Sequence, residues 1–386
     1  MSIYLDHAAT TPMIEPAIDA MQRSLRKIGN PSSLHTDGRS TRKDVEEARE
    51  VIASALGCQP SEVIFTGSGT EANNLAIKGF FWQHPDRNLI VTSAFEHHAI
   101  LDPVEWLVEH EGAEQVLIPI TKAGVIDLDF LRKIVQTRGS EIAVISIMHS
   151  NNELGSIQPI AEIVKIAGDI PVHTDAVQSF GKVEFDFAAL NVTAATISAH
   201  KIGGPLGVAA LILKRGLDLT PVLHGGGQER EIRSGTLNAP SIVAFTAAAE
   251  YAIANMATNF KKIRELRDYF VAGLKKCVPD VSINSITDPA LPGIVNATFP
   301  GTESDALLLL LDTEGISASA GSACSAGVPR PSHVLVALGL SESDADASLR
   351  ISIGTTNTKA EIDQVLAILP SVVERARNAF VVSELN

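Results

Sequence analysis

Short apolar runs alternate with stretches of helical period through the first half of the chain. Residues 63–66, 89–92, 116–120 and 143–148 are mostly apolar and of strand length. Pro171 opens another such run, which ends at His173, Thr174 and Asp175. Over 41–56, Val45, Ala48, Ile52 and Leu56 share one helical face, and Gly57 stands where a C-cap belongs. Further helices are predicted over 71–81, over 99–111 with a stop at Gly112, behind the N-cap Asp127, and over 159–168. Strands separated by helices of this length imply βαβ units and a mostly parallel sheet covered on both faces. Two more apolar runs, 192–197 and 207–213, flank a polar turn and read as buried strands.

Beyond residue 213 the pattern changes. A glycine-rich loop over 224–230 leads to Arg233-Ser234-Gly235-Thr236, and a long helix begins near Asn259. A strand over 294–299, a helix over 303–314, a strand over 349–353 and a final helix from Lys359 follow, with no internal repeat. At 386 residues the chain has room for two domains, and its 45% hydrophobic and 20% charged content is that of a soluble globular protein. The net charge of −14 argues against a surface for nucleic acid or anionic membrane, though not against protein partners. No apolar run reaches membrane-spanning length, and the first residues lack the basic start and apolar core of a signal peptide. Three widely spaced cysteines, Cys58, Cys277 and Cys324, suit neither a disulfide framework nor a zinc site; no metal and a reducing cytoplasm are expected.

In open sheets of this kind ligands bind outside the carboxyl ends of the strands. Thr70, His97, Asn151, Asn152, Asp175 and Gln178 all follow predicted strands. The turn Gly67-Ser68-Gly69-Thr70 between strand and helix aims backbone N–H groups at an anion, but it is neither a P-loop nor a full dinucleotide fingerprint. Lys201, in AHKIGGP between the two late apolar runs, reads as an amine whose partial desolvation lowers its pKa for Schiff-base chemistry, or as a surface lysine of a hairpin. Asp175 reads as a helix cap or as the anion beside a pyridinium nitrogen. His97 is structural or stacks on a ring, and Gln178 caps a helix or donates to a phenolate. Arg350, inside an apolar strand, either binds a substrate carboxylate or has an internal acidic partner. Cys324 has no apolar neighbour larger than alanine, which suits an exposed nucleophile; Cys58 and Cys277 lie at helix ends and read as structural.

Taken in order, YLDHAATTP, GNPSS, FTGSGTEANNLAIKG, FEHHAILDP, SIMHSNNELGSIQP, HTDAVQSFGK, SAHKIGGPLG, HGGGQEREIRSGT, SAGSACSAG and SLRISIG run the length of the chain. Together they resemble the cysteine desulfurases, class V of the aminotransferases that use pyridoxal 5'-phosphate (PLP), and within them the nitrogen-fixation and iron–sulfur type. The resemblance implies an α/β chain of PLP-dependent transferase fold type I, with a mostly parallel seven-stranded sheet. It implies a large PLP-binding domain over 16–257 and a small α/β domain made of 1–15 and 258–386, which carries the cysteine loop. It makes Lys201 the Schiff-base lysine, Asp175 the partner of the pyridine nitrogen and His97 the stacking residue that also moves protons. Gln178 and Asn152 are implied near the phenolate, and Gly69, Thr70, Ser198 and His200 around the phosphate. Thr236 is implied to reach that phosphate from the neighbouring subunit of a homodimer. Arg350 is implied to take the substrate carboxylate with Asn152 assisting, and Cys324 to carry the persulfide. The implied reaction is L-cysteine to L-alanine in the cytoplasm. Its sulfur is passed on to acceptor proteins, either an iron–sulfur scaffold or enzymes of tRNA and cofactor thiolation. A selenocysteine lyase, or another class V PLP enzyme that does not use Cys324, is the alternative. The chain end at 381–386 is expected to lack the scaffold-docking tail of housekeeping members.

Overall fold

Seven of the apolar runs become one sheet. In the computed structural model, which describes residues 2–321 and 331–384, the strands in chain order begin with β1 (Ile3–Tyr4) and β2 (Val63–Thr66). They continue with β3 (Leu89–Ser93), β4 (Glu114–Ile118), β5 (Ile142–Ser146), β6 (Val172–Asp175), β7 (Ala194–Ser198) and β8 (Ala209–Leu213). The sheet order is β2-β8-β7-β6-β5-β3-β4. Every pairing is parallel except those of β8, which runs antiparallel to both neighbours. Its strands are buried from end to end, apart from the edge strand β4. That is the burial expected where helices cover both faces.

One face packs Phe65, Phe180 and Phe245 with Val45, Ile52 and Leu56. The other buries Ile64, Ile90 and Leu211 under Leu75, Phe80, Val104 and Leu107. The latter four lie on α3 (Gly69–Gln83) and α4 (His98–Glu111), which follow α1 (Glu15–Leu25) and α2 (Thr36–Ala55) in the chain. Helix α2 starts five residues before the predicted boundary at 41, because His35 caps it through a bond from the Gly38 N–H to Nδ1 at 3.3 Å. Two helices escaped the periodicity. Pro16 sits in the first turn of α1, and helix Ala239–Ala254 is apolar on nearly every side, so it presents no amphipathic repeat to detect.

The C-terminal part has its own three-stranded sheet. β9 (Ser282–Ile283) and β12 (Ser348–Ser352) flank β10 (Ile294–Thr298) antiparallel, and β11 (Ile316–Ser317) pairs parallel with β1. The start of the chain therefore returns to its C-terminal part. A separate apolar cluster lies here, with Leu5, Phe270, Val295, Phe299, Leu349, Ile351 and Leu369 fully buried or nearly so.

The loop over 224–236 is tied to the large sheet by a buried ion pair. Arg49 on α2 donates to both oxygens of Glu229 at 2.8 Å, and the Phe65 N–H donates to the same carboxylate at 2.8 Å. Removing the cation alone leaves a buried anion, so Arg49→Met is expected to cost about 3–5 kcal/mol in chemical denaturation, with Glu229→Gln in addition recovering part of it. A loss below about 1 kcal/mol contradicts this assignment. A second expectation concerns pH. His173 is fully buried between the hydroxyls of Ser146 and Thr196, and His149 is buried against Ser179. Burial pushes their pKa values down from 6.5 to about 3 and about 4. Below 6.5 the unfolded chain takes up protons that the folded chain refuses, so stability falls as pH falls. The denaturation midpoint should hold above pH 6.5 and drop progressively towards pH 4.5, and His173→Gln should flatten that slope.

Candidate active site

Lys201 is delivered by the reversal between β7 and β8. After Ser198 the chain makes a single 3-10 turn, Ala199–Lys201, and leaves it through Gly203 at φ +84. Such a backbone favours glycine, and a Cβ there would meet Ile14. The turn is fixed to the N-terminal segment by Thr11, whose hydroxyl donates to the His200 carbonyl at 2.8 Å and accepts from the Gly203 N–H at 2.7 Å. That places the Lys201 amine against the carbonyls of Ala8 and Ala9, each 2.6 Å away. The polar segment DHAATTP thus does a specific job: it supplies the backbone acceptors for the lysine.

The amine opens on a cavity of about 330 Å³ at the carboxyl edge of the sheet. Its walls include Gly69, Thr70, His97, Asn152, Asp175, Gln178, Ser198, His200 and Arg350. The sequence picked out all of these. Asp175 ends β6 and is only 7% exposed; its carboxylate accepts from Asn73 Nδ2 at 2.7 Å and from the Val177 N–H at 2.9 Å. His97 caps α4, accepting from the Ala99 N–H at Nδ1 over 3.0 Å, so its proton sits on Nε2. Burial lowers its pKa, with Asp175 opposing, and it stays neutral near pH 7. His200, held to a pKa of about 4 by burial and the nearby Lys201 and Lys182, is neutral as well. The first residues of α3 present free backbone N–H groups beside Ser198, and a Cβ on Gly69 would lie 3.2 Å from Val177.

Arg350 has the internal acidic partner that a buried arginine calls for, and it also lines the cavity. Its Nη2 donates to Asp6 at 2.8 Å and its Nη1 reaches the Asn152 carbonyl at 3.5 Å. Among the described residues its buried Nε has no acceptor. Asn151, by contrast, faces away from the cavity. It is fully buried, donates to the Phe95 carbonyl and accepts from the Glu153 and Leu154 N–H groups, so it shapes the turn after β5. Thr236 is exposed and is not among the residues lining the cavity of its own chain. Cys324 lies outside the described residues. Cys58 is half-buried with its thiol pushed up to about 12, chiefly by burial, and Cys277 is half-buried with its thiol raised by burial too, which disfavours the thiolate at both.

Two participants were not visible in the sequence. Asn73 orients Asp175 from the second turn of α3, and its Oδ1 is a buried acceptor with no donor among the described residues. Glu153 lines the cavity fully buried, its pKa raised by burial, with the Ser332 hydroxyl donating to it at 2.6 Å. Neither position differs in type or spacing from an ordinary polar helix or turn residue. A larger cavity of about 570 Å³ lies behind Lys201 and shares only that residue and Ala8 with the first. It lacks Asp175, the α3 N-terminus and Arg350, and its own carboxylate is Glu15 at the start of α1. The smaller one is the candidate site.

The donor set fits PLP. An amine, a buried carboxylate and a helix N-terminus crowded by glycine stand around one cavity, matching an aldehyde, a ring nitrogen and a phosphate. The comparisons agree with that geometry. The family profile "Aminotransferase class-V" matches residues 3–365. An IscS-like cysteine desulfurase of Mycobacterium tuberculosis is 49% identical, over 97% of each chain. Cysteine desulfurase IscS of Dictyoglomus turgidum is 42% identical, over 97% of this chain and 95% of that one. Among solved structures, a NifS-like protein superposes with a TM-score of 0.90 at 34% identity, covering 97% of this chain and all of the other. A structure of SspA in complex with cysteine superposes with a TM-score of 0.78 at 34% identity, covering 92% of this chain and all of that one. With its sheet order, its lysine on the β7–β8 reversal and a profile match over nearly its whole length, the chain belongs to the class-V aminotransferase family.

Proposed function

We propose that this cavity converts L-cysteine to L-alanine and that the sulfur leaves as a persulfide on Cys324. The observation that carries the reading is that Lys201, Asp175 and Arg350 line one cavity. Bound PLP supplies an electron sink for the charge left at the substrate α carbon. Asp175, held by Asn73 and the Val177 N–H, keeps an anion at the ring nitrogen. The α3 N-terminus at Gly69 and Thr70, with Ser198 and a neutral His200, holds the phosphate; Gln178 and Asn152 stand by the phenolate. Arg350 takes the substrate carboxylate through its planar fork, with Asn152 beside it. Lys201 removes and returns the proton at the substrate α carbon. His97 presents its Nε2–H to the substrate sulfur, and takes up the thiol proton by releasing the Ala99 N–H from Nδ1.

In the sulfur step the Cys324 thiolate attacks the substrate sulfur. A sulfur–sulfur bond forms, the carbon–sulfur bond breaks with its electron pair going to carbon, and a proton there completes alanine. The relatives named cysteine desulfurase support this reading over a selenocysteine lyase. We further propose a homodimer in which Thr236 of one chain reaches the phosphate site of the other. Residues 16–257 form the large domain, and 1–15 with 258–386 the small one. The working compartment is the cytoplasm and the acceptors are proteins of iron–sulfur assembly or thiolation. Among the described residues no helix is long and apolar enough to cross a membrane.

In L-cysteine with reductant, Cys324→Ala should lose alanine and sulfide formation by roughly two orders of magnitude or more while keeping the visible absorbance of bound PLP. Lys201→Ala should lose that absorbance. A Cys324→Ala enzyme as fast as the wild type sinks the persulfide step and brings forward a lyase mechanism.

A further inference from the structure

One buried amine has no part in the scheme above. Lys182 follows Gly181, where the chain turns at φ +70 so closely against helix Ala239–Ala254 that a Cβ would lie 2.8 Å from that of Ala252. The half-buried Lys182 side chain lines the larger cavity, behind the wall that carries Gln178 and Lys201. Among the described residues it forms no ion pair; the charges acting on it are those of Lys201 and Arg350, and it acts in turn on His7 and His200. These are all bases. Burial and the two cations bring its pKa down to about 7. The cavity lining also includes the carboxylate of Glu15, yet Lys182 forms no ion pair with it, and an amine kept in such surroundings calls for a reason.

Its side-chain acceptor supplies one. Lys182 Nζ donates to Gln178 Oε1 at 3.1 Å, while Gln178 Nε2 donates to the Ala8 carbonyl at 2.9 Å. A lysine, charged or neutral, has N–H groups to give, and a carbonyl can only accept. The two partners therefore impose the same orientation on the amide. Oxygen is turned towards Lys182, and nitrogen towards the cavity that Gln178 and Ala8 both line. One N–H is spent on Ala8, and among the described residues the second meets no acceptor.

We infer that Lys182 is a positioning residue that locks the Gln178 amide with its nitrogen towards the cofactor, so that Gln178 offers the phenolate oxygen a donor and never an acceptor. The inference rests on the reading that Gln178 meets that oxygen. Without Lys182 the buried Oε1 loses its donor, and the amide gains by turning towards any other. A donor at the phenolate competes with the cofactor's own titrating proton for that oxygen, so weakening it raises the pKa seen in the visible absorbance.

The test is a pH titration of that absorbance in holoenzymes carrying Lys182→Met, Gln178→Ala and both. Gln178→Ala and Lys182→Met should each raise the apparent pKa by about half to one unit, the range that one hydrogen bond supplies. In the Gln178→Ala background, Lys182→Met should add less than half of its own effect, and Lys182→Arg alone should stay near the wild type. Equal shifts in both backgrounds mean that Lys182 acts only as a through-space charge, which overturns the inference and leaves the Gln178 assignment standing. A shift from Gln178→Ala with none from Lys182→Met overturns it too. No shift from Gln178→Ala removes both readings together. Should Lys182→Met fail to fold, Lys182→Ala, which opens onto the existing cavity, carries the same comparison.

Discussion

An amine held between two backbone carbonyls is the contact on which the rest of the site depends. Lys201 leaves a sheet built from the middle of the chain, yet its acceptors, the Ala8 and Ala9 carbonyls, come from the first residues. Those residues are in place because β1 pairs with β11 and because the Leu5 carbonyl accepts from the Ser352 N–H at 2.7 Å. Both contacts belong to the C-terminal part. The short segment 6–9 is thus a strut between two separately packed apolar cores. It supplies the lysine's backbone acceptors, and two residues further on Thr11 completes the hydrogen bonds of the turn at 199–203.

Charge in the cavity is arranged by burial more than by pairing. His97 and His200 are held neutral by desolvation, and so are His149 and His173 beneath them. Neutral imidazoles leave Asp175 as the principal negative centre at the floor and the amines with Arg350 as the positive one. Glu96, fully buried below His97, is pushed up to about 8 by burial despite bonds from Ser93 and from the Met148 N–H. Around a ligand with a phosphate at one end and a ring nitrogen at the other, this separation matters. A protonated histidine near Asp175 would pull its charge away from the ring.

The chain announced most of this because strand ends are easy to find. A run such as 172–175 ends in a polar residue whose position relative to the sheet follows from the parallel pattern alone, so Asp175, His97 and Gln178 are legible at the carboxyl edge from the sequence. Boundaries set by side-chain caps were less legible: α2 begins where His35 closes it, and nothing apolar marks that point. Helix Ala239–Ala254 is illegible for the opposite reason, being too uniformly apolar to show a period. Asn73 and Lys182 could not be found at all. Their roles arise from what stands opposite them in space, a carboxylate 102 residues away in one case and an amide one turn back in the other.

Arg350 shows why the two readings of a buried charge need not compete. Asp6 meets one end of its fork at 2.8 Å, which lets a guanidinium sit 3% exposed in an apolar strand. That single carboxylate leaves Nε without an acceptor and Nη1 with a long contact. A partly satisfied buried cation costs stability that a second carboxylate would restore, which is why the incompleteness supports the proposed role in binding substrate. Asp6 lies two residues before Ala8. The arginine proposed for the substrate carboxylate and the lysine proposed for its amine are therefore joined through the same four residues, and rigidity in that strut fixes the distance between them.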